Sequence, residues 1–112
     1  MTTTITRGDL RDAIDAGLVT VVDALPADYY DQQHLPGAVN LVETDVASRA
    51  AAVLPDKDAA IVTYCSNTAC GNSEAVARLL TNLGYTNVRK YREGIQDWVA
   101  GGLPVERTSA AA

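Results

Sequence analysis

Short apolar, β-branched runs alternating with amphipathic segments predict an α/β domain with a single open, mostly parallel sheet and helices on both faces. Three observations carry this expectation. Residues 18–23 and 59–64 show little polar alternation, as strands buried on both faces do. Segments with apolar residues at helical spacing lie between the strand-like runs. The chain of 112 residues, 47% apolar and 21% charged, suits one ordinary globular core.

Taken in order, Thr6 followed by Asp9 reads as a capping box, and Leu10, Ala13 and Ile14 continue at helical spacing to Gly17. The first helix is therefore expected over residues 7–16. Residues 18–23 are the first buried strand and end at Asp23. Pro26 opens a short helix through Asp28, Tyr29 and Tyr30, which Leu35-Pro36-Gly37 terminates. Residues 38–41 form a short strand, and Thr44 caps a helix that ends before Pro55. The second buried strand, residues 59–64, stops directly at Cys65. A stretch of Ser, Asn, Thr and Gly leads to a helix over 74–83, whose apolar face is Ala75, Val76, Leu79, Leu80 and Leu83 and which Gly84 ends. A strand over 87–91 and a helix over 95–100 complete the domain, residues 1–106. Residues 107–112, Arg-Thr-Ser-Ala-Ala-Ala, offer nothing to bury and read as a flexible tail.

Charge and cysteine content narrow the function. Fourteen acidic against nine basic residues, a net charge of −5, argue against a nucleic acid or an anionic membrane as partner, because both need a basic face. Two cysteines are far from a disulfide scaffold. The chain start has no apolar leader-like region, and the longest apolar run, residues 50–54, is too short to span a bilayer. A cytoplasmic, reducing location is the expectation. In that setting, a close cysteine pair is more often reactive or metal-binding than structural.

In open parallel sheets the ligand crevice lies at the carboxyl ends of the strands. Three polar features fall at such ends: Asp23, Cys65 with its loop, and Arg92 with Glu93 and Gly94. A loop curling from a strand end into a helix start points backbone N–H groups inward, and these add to the helix dipole to form an anion cradle. The same field stabilises a thiolate at Cys65, and a nucleophilic cysteine pairs a low pKa with partial exposure. Spacing alone equally accommodates Cys65 as a small core residue.

These segments resemble the rhodanese family, over about residues 5–106. Val21-Val22-Asp23, Asp28-Tyr29-Tyr30 and Gln33-His34-Leu35-Pro36-Gly37-Ala38 resemble its amino-terminal signature, and Ile61-Val62-Thr63-Tyr64-Cys65 the strand leading to its catalytic cysteine. Leu83-Gly84-Tyr85-Thr86-Asn87-Val88, Glu93-Gly94-Ile95-Gln96-Asp97-Trp98 and Gly102-Leu103-Pro104-Val105 resemble its carboxyl-terminal signature in order and spacing. The resemblance implies a five-stranded rhodanese-like sheet, of which the pattern above locates four strands. It also implies sulfur transfer without a cofactor or metal. Cys65 would be the nucleophile and persulfide carrier, and Ser66, Asn67, Thr68, Ala69, Cys70 and Gly71 the substrate-binding loop, with Asp23 and Arg92 in support. The donor would be a small sulfur anion such as thiosulfate or a thiol persulfide, and the acceptor a nucleophile that includes a protein thiol.

The departures are informative. Family loops place a basic or hydroxyl residue where this chain has Cys70, no cation lies between Cys65 and Ser73, and the family's Asp-Val-Arg is here Asp23-Ala24-Leu25. Thiosulfate capture would then rest on backbone dipoles and Arg92. Cys70 has two readings, a resolving thiol that forms a disulfide with Cys65 or a space-filling residue at the helix entry. His34 reads as a hydrogen-bonded structural residue, and Tyr91 and Trp98 as packing. Two other functions compete with sulfur transfer. A non-enzymatic binding or redox-sensing module would use the Cys65/Cys70 pair. Phosphatase chemistry on the same fold is disfavoured, because the arginine that grips phosphate has no counterpart at Cys70, Gly71 or Asn72.

Overall fold

The computed structural model describes residues 3–108, which form five strands and five α-helices. The strands are β1 (Thr3–Thr4), β2 (Thr20–Asp23), β3 (Val39–Asn40), β4 (Ile61–Tyr64) and β5 (Val88–Tyr91). The helices are α1 (Arg7–Asp15), α2 (Ala27–Gln32), α3 (Val46–Val53), α4 (Asn72–Asn82) and α5 (Gly94–Ala100). The sheet order is β1-β5-β4-β2-β3, and every pairing is parallel. The expected mostly parallel sheet is thus entirely parallel, and β4 is its central strand.

The sheet separates two cores, because successive strand side chains point to opposite faces. Val21, Val62, Tyr64 and Tyr91 face one side, where Leu10 of α1 and Ile95 and Trp98 of α5 cover them. Val22 and Ile61 face the other, under Val46 and Ala50 of α3 and Val76 and Leu80 of α4. Tyr91 and Trp98 are fully buried and meet edge to face at 6.2 Å, and the indole N–H donates to the Pro104 carbonyl at 2.8 Å. Both aromatics are packing residues, as expected.

The expected elements all form, with shifted ends. Thr6 caps α1 by accepting from the Asp9 N–H at 3.2 Å. Thr44 does not cap α3: it lies inside a 3-10 turn, Glu43–Asp45, which precedes a helix with no side-chain cap. The buried face of α4 is Ser73, Val76, Ala77 and Leu80, while Leu83 is exposed. A helix that begins at Asn72 instead of Glu74 puts Ser73 on the inward stripe, and Leu83 falls after its last turn. The fifth strand is β1, two exposed threonines paired with Arg89 and Lys90. Two residues carry no periodicity, so only the free edge of β5 defines this strand. Thr108 still donates its N–H to the Asp31 carbonyl at 3.2 Å, and the rest of the expected tail, residues 109–112, lies outside the described residues. Among the described residues, no helix is long and apolar enough to cross a membrane.

Candidate active site at the end of the central strand

Cys65 directly follows β4, and residues 66–71 form a short loop before α4. Thr63 fixes the far end of that loop: its hydroxyl donates to the Ser73 carbonyl at 3.0 Å, which ties the central strand to the first turn of α4. Asn72, at the same turn, donates from its side-chain amide to the Ala24 carbonyl at 3.3 Å. The Cys65 Sγ therefore sits against the N-terminus of an eleven-residue helix, where partial positive charge favours a thiolate or persulfide anion. The buried Ser73 hydroxyl lies 3.6 Å from that sulfur, close enough to hydrogen-bond it.

Cys65 is only 1% exposed, in contrast to the partial exposure expected of a nucleophile. Its sulfur is joined to that of the half-buried Cys70 in a disulfide across a Cα–Cα distance of 6.4 Å. The loop is shaped by its own turns. Asn67 accepts the Ala69 N–H on its side-chain oxygen at 2.9 Å and the Cys70 N–H on its carbonyl at 3.1 Å. Two of the six loop N–H groups are thereby committed, which leaves those of Ser66, Asn67, Thr68 and Gly71 outside these turns.

The start of α5 grips the other side of the loop. Ile95 and Gln96 donate their N–H groups to the Cys65 and Ser66 carbonyls at 2.9 and 3.0 Å, and the Asn67 amide donates to the Gln96 side chain at 3.1 Å. Gly94 permits this approach. It has φ +75°, and a Cβ there would lie 2.5–2.6 Å from the backbone of Cys65 and Ser66. Gly94, Gln96 and Ser73 belong to the site by contact; the sequence reading placed Gly94 beside Arg92 at a strand end but gave none of the three a role in the site.

Asp23 makes no hydrogen bond to residues 66–71 among the described residues. It is completely buried, accepts the Leu25 N–H at 2.8 Å and the Tyr64 hydroxyl at 2.6 Å, and that hydroxyl in turn accepts the Leu35 N–H at 3.0 Å. Burial raises its pKa above the ordinary 3.8, against the opposing pull of the Tyr64 and Leu25 hydrogen bonds. Asp23 thus anchors the strand end and the turn after β2. His34 is also buried: it stacks on Tyr30 at 3.9 Å, and its Nδ1 lies 2.8 Å from the Tyr30 carbonyl, a structural placement. Arg92 follows β5, is exposed, and makes no ion pair or hydrogen bond among the described residues. A groove of about 570 Å³ is lined by Thr3, Arg78, Asn82 and Val88 and includes none of residues 65–71. It lies at the opposite ends of the strands, away from Cys65.

A cysteine at the carboxyl end of the central parallel strand, with a loop running into a helix N-terminus, defines a class of α/β domains built around a cysteine loop. The chain belongs to the rhodanese-like domain family, whose model matches residues 6–101. It is 35% identical over 102 residues to the HTH-type transcriptional regulator Rv0324 of Mycobacterium tuberculosis, which covers 91% of this chain and 44% of that protein. The chain thus spans less than half the length of that relative. It is 33% identical over 82 residues to the thiosulfate sulfurtransferase PspE of Escherichia coli, covering 73% of this chain and 68% of that one. Among solved structures, the BH2092 protein of Bacillus halodurans superposes with a TM-score of 0.87 at 28% identity, covering 96% of this chain and 78% of that one.

Proposed function

We propose that this chain is a rhodanese-type sulfurtransferase with Cys65 as the persulfide carrier. The observation that carries the reading is the seat of the Cys65 sulfur at the N-terminus of α4, 3.6 Å from the Ser73 hydroxyl of its first turn. In the reduced protein the Cys65 thiolate attacks the outer sulfur of a donor. The donor's S–S bond breaks, its leaving group departs as sulfite or a thiolate, and Cys65 keeps the transferred sulfur as a persulfide. Fixed dipoles replace a metal: the helix end, the Ser73 hydroxyl and the loop N–H groups of Ser66, Asn67, Thr68 and Gly71 stabilise the anion. An acceptor nucleophile, such as a protein thiol, then takes the outer sulfur. The similarity to a named thiosulfate sulfurtransferase supports this assignment.

With no cation in residues 66–73 and a net charge of −5, thiosulfate is a poor match, and a thiol persulfide or protein-bound donor fits better. The chemistry requires a reduced Cys65 and so a reducing compartment, which suits the cytoplasm. The test is intact mass after reduced protein meets thiosulfate or a thiol persulfide. Gain of one sulfur by the wild type and none by Cys65→Ser is expected; a folded wild type that gains none from either donor defeats the reading.

A second reading, a redox-sensing module, draws on the Cys65–Cys70 disulfide and the similarity to a transcriptional regulator. It predicts reversible disulfide formation with no sulfur adduct.

A further inference from the structure

We propose that Cys70 resolves the Cys65 persulfide inside the same chain and releases its outer sulfur as sulfide, so that the domain reduces transferred sulfur as well as carrying it. The proposal rests on the persulfide-carrier reading and adds a second activity to it.

The geometry gives Cys70 one target. Its sulfur is bonded to the Cys65 Sγ, which would be the inner sulfur of a persulfide. The Cα–Cα distance of 6.4 Å lies within the range that disulfides span without backbone movement. Nor is the placement a loose encounter, because the two Asn67 turns and the bond from Asn67 to Gln96 hold residues 67–70 over the strand end. Cys70 immediately precedes Gly71, the N-cap of α4, so the helix end that favours a thiolate at Cys65 favours one at Cys70 too. An external acceptor takes the outer sulfur of a persulfide, whereas the inner sulfur, the buried Cys65 Sγ, is the atom to which Cys70 is bonded. Proximity of this kind raises the effective concentration of the attacking group far above that of a free thiol.

The step balances without a further reactant. The Cys70 sulfur attacks the Cys65 Sγ, the bond between Sγ and the outer sulfur breaks, and the bonding pair leaves on the outer sulfur. That sulfur takes the Cys70 proton and departs as hydrosulfide. The two protein thiols have supplied two electrons, and the chain is left with the Cys65–Cys70 disulfide. Further turnover requires a dithiol reductant, small or protein-borne, to reopen the disulfide and uncover Cys65.

The test is a single turnover. Reduced protein, freed of reductant, is mixed with thiosulfate and, separately, with a thiol persulfide; sulfide release and intact mass are then read for the wild type, Cys70→Ser, Cys70→Ala and Cys65→Ser. The wild type is expected to release one sulfide per chain above the Cys65→Ser background and to finish two hydrogens lighter. Both Cys70 variants are expected to hold the extra sulfur and release no sulfide above that background. If the wild type retains the extra sulfur as fully as the Cys70 variants, the resolving role is overturned and the carrier role stands. If Cys70→Ser and Cys70→Ala, both folded, take up no sulfur and the wild type releases none, the carrier reading itself has failed and this step falls with it.

Discussion

The Cα of Gly94 approaches Cys65 so closely that a Cβ on Gly94 would lie 2.6 Å from the Cys65 carbonyl oxygen. That carbonyl accepts the Ile95 N–H, so the first turn of α5 and the residue that ends β4 share one contact. Gly94→Ala combines this collision with a left-handed backbone. It is expected to destabilise the fold by at least about 1–3 kcal/mol, the usual cost of such strain, and to abolish sulfur loading on Cys65. Urea unfolding midpoints and intact mass check the two effects separately.

The disulfide closes a loop of sequence separation five, so its reduction is expected to lower stability by about 2 kcal/mol on the chain-entropy estimate. Unfolding of the wild type with and without a dithiol should show this gap, and Cys70→Ser should show none. Equal sensitivity to reductant in both proteins would contradict it.

Asp23 is expected to make stability fall as pH rises. Burial raises its folded pKa above 3.8, so the folded state binds the proton more tightly than the unfolded chain does. Its contribution is fully present below the ordinary carboxylate range and is lost as pH climbs through the raised value. Asp23→Asn removes this component. The stability difference between wild type and variant should therefore shift against the wild type from acidic to neutral pH, as read by chemical denaturation at several pH values.

Removing the Tyr64 hydroxyl tests the same network from its other side. Tyr64→Phe leaves Asp23 Oδ2 and the Leu35 N–H without their partner and is expected to cost about 1–3 kcal/mol. The loss is measured by thermal or urea unfolding. A change near zero would mean that water replaces the hydroxyl.

Arg92 carries no structural bond among the described residues, so Arg92→Ala should leave stability within about 0.5 kcal/mol of wild type. If it draws anions toward the loop, loading from doubly charged thiosulfate slows severalfold, and by more than loading from a thiol persulfide of lower charge. Equal rates with both donors would remove Arg92 from the site.

The alternation of apolar runs and amphipathic segments determined the α/β class, the parallel sheet and the position of Cys65 at a strand end, because those features depend on local period and on which residues end an element. The Thr6 cap and the packing roles of Tyr91, Trp98 and His34 were legible for the same reason. Local pattern could not reach what depends on contacts between distant segments. Strand β1 exists only because β5 offers an edge, and the inward face of α4 depends on where its first turn is tied to Thr63. Gly94, Gln96 and Ser73 join the site through approaches across the fold. Whether Cys70 meets Cys65 depended on distance, which spacing along a flexible loop leaves open. The fold brought the two sulfurs together, because the Asn67 turns and the grip of α5 bend residues 66–71 back over the strand that ends at Cys65.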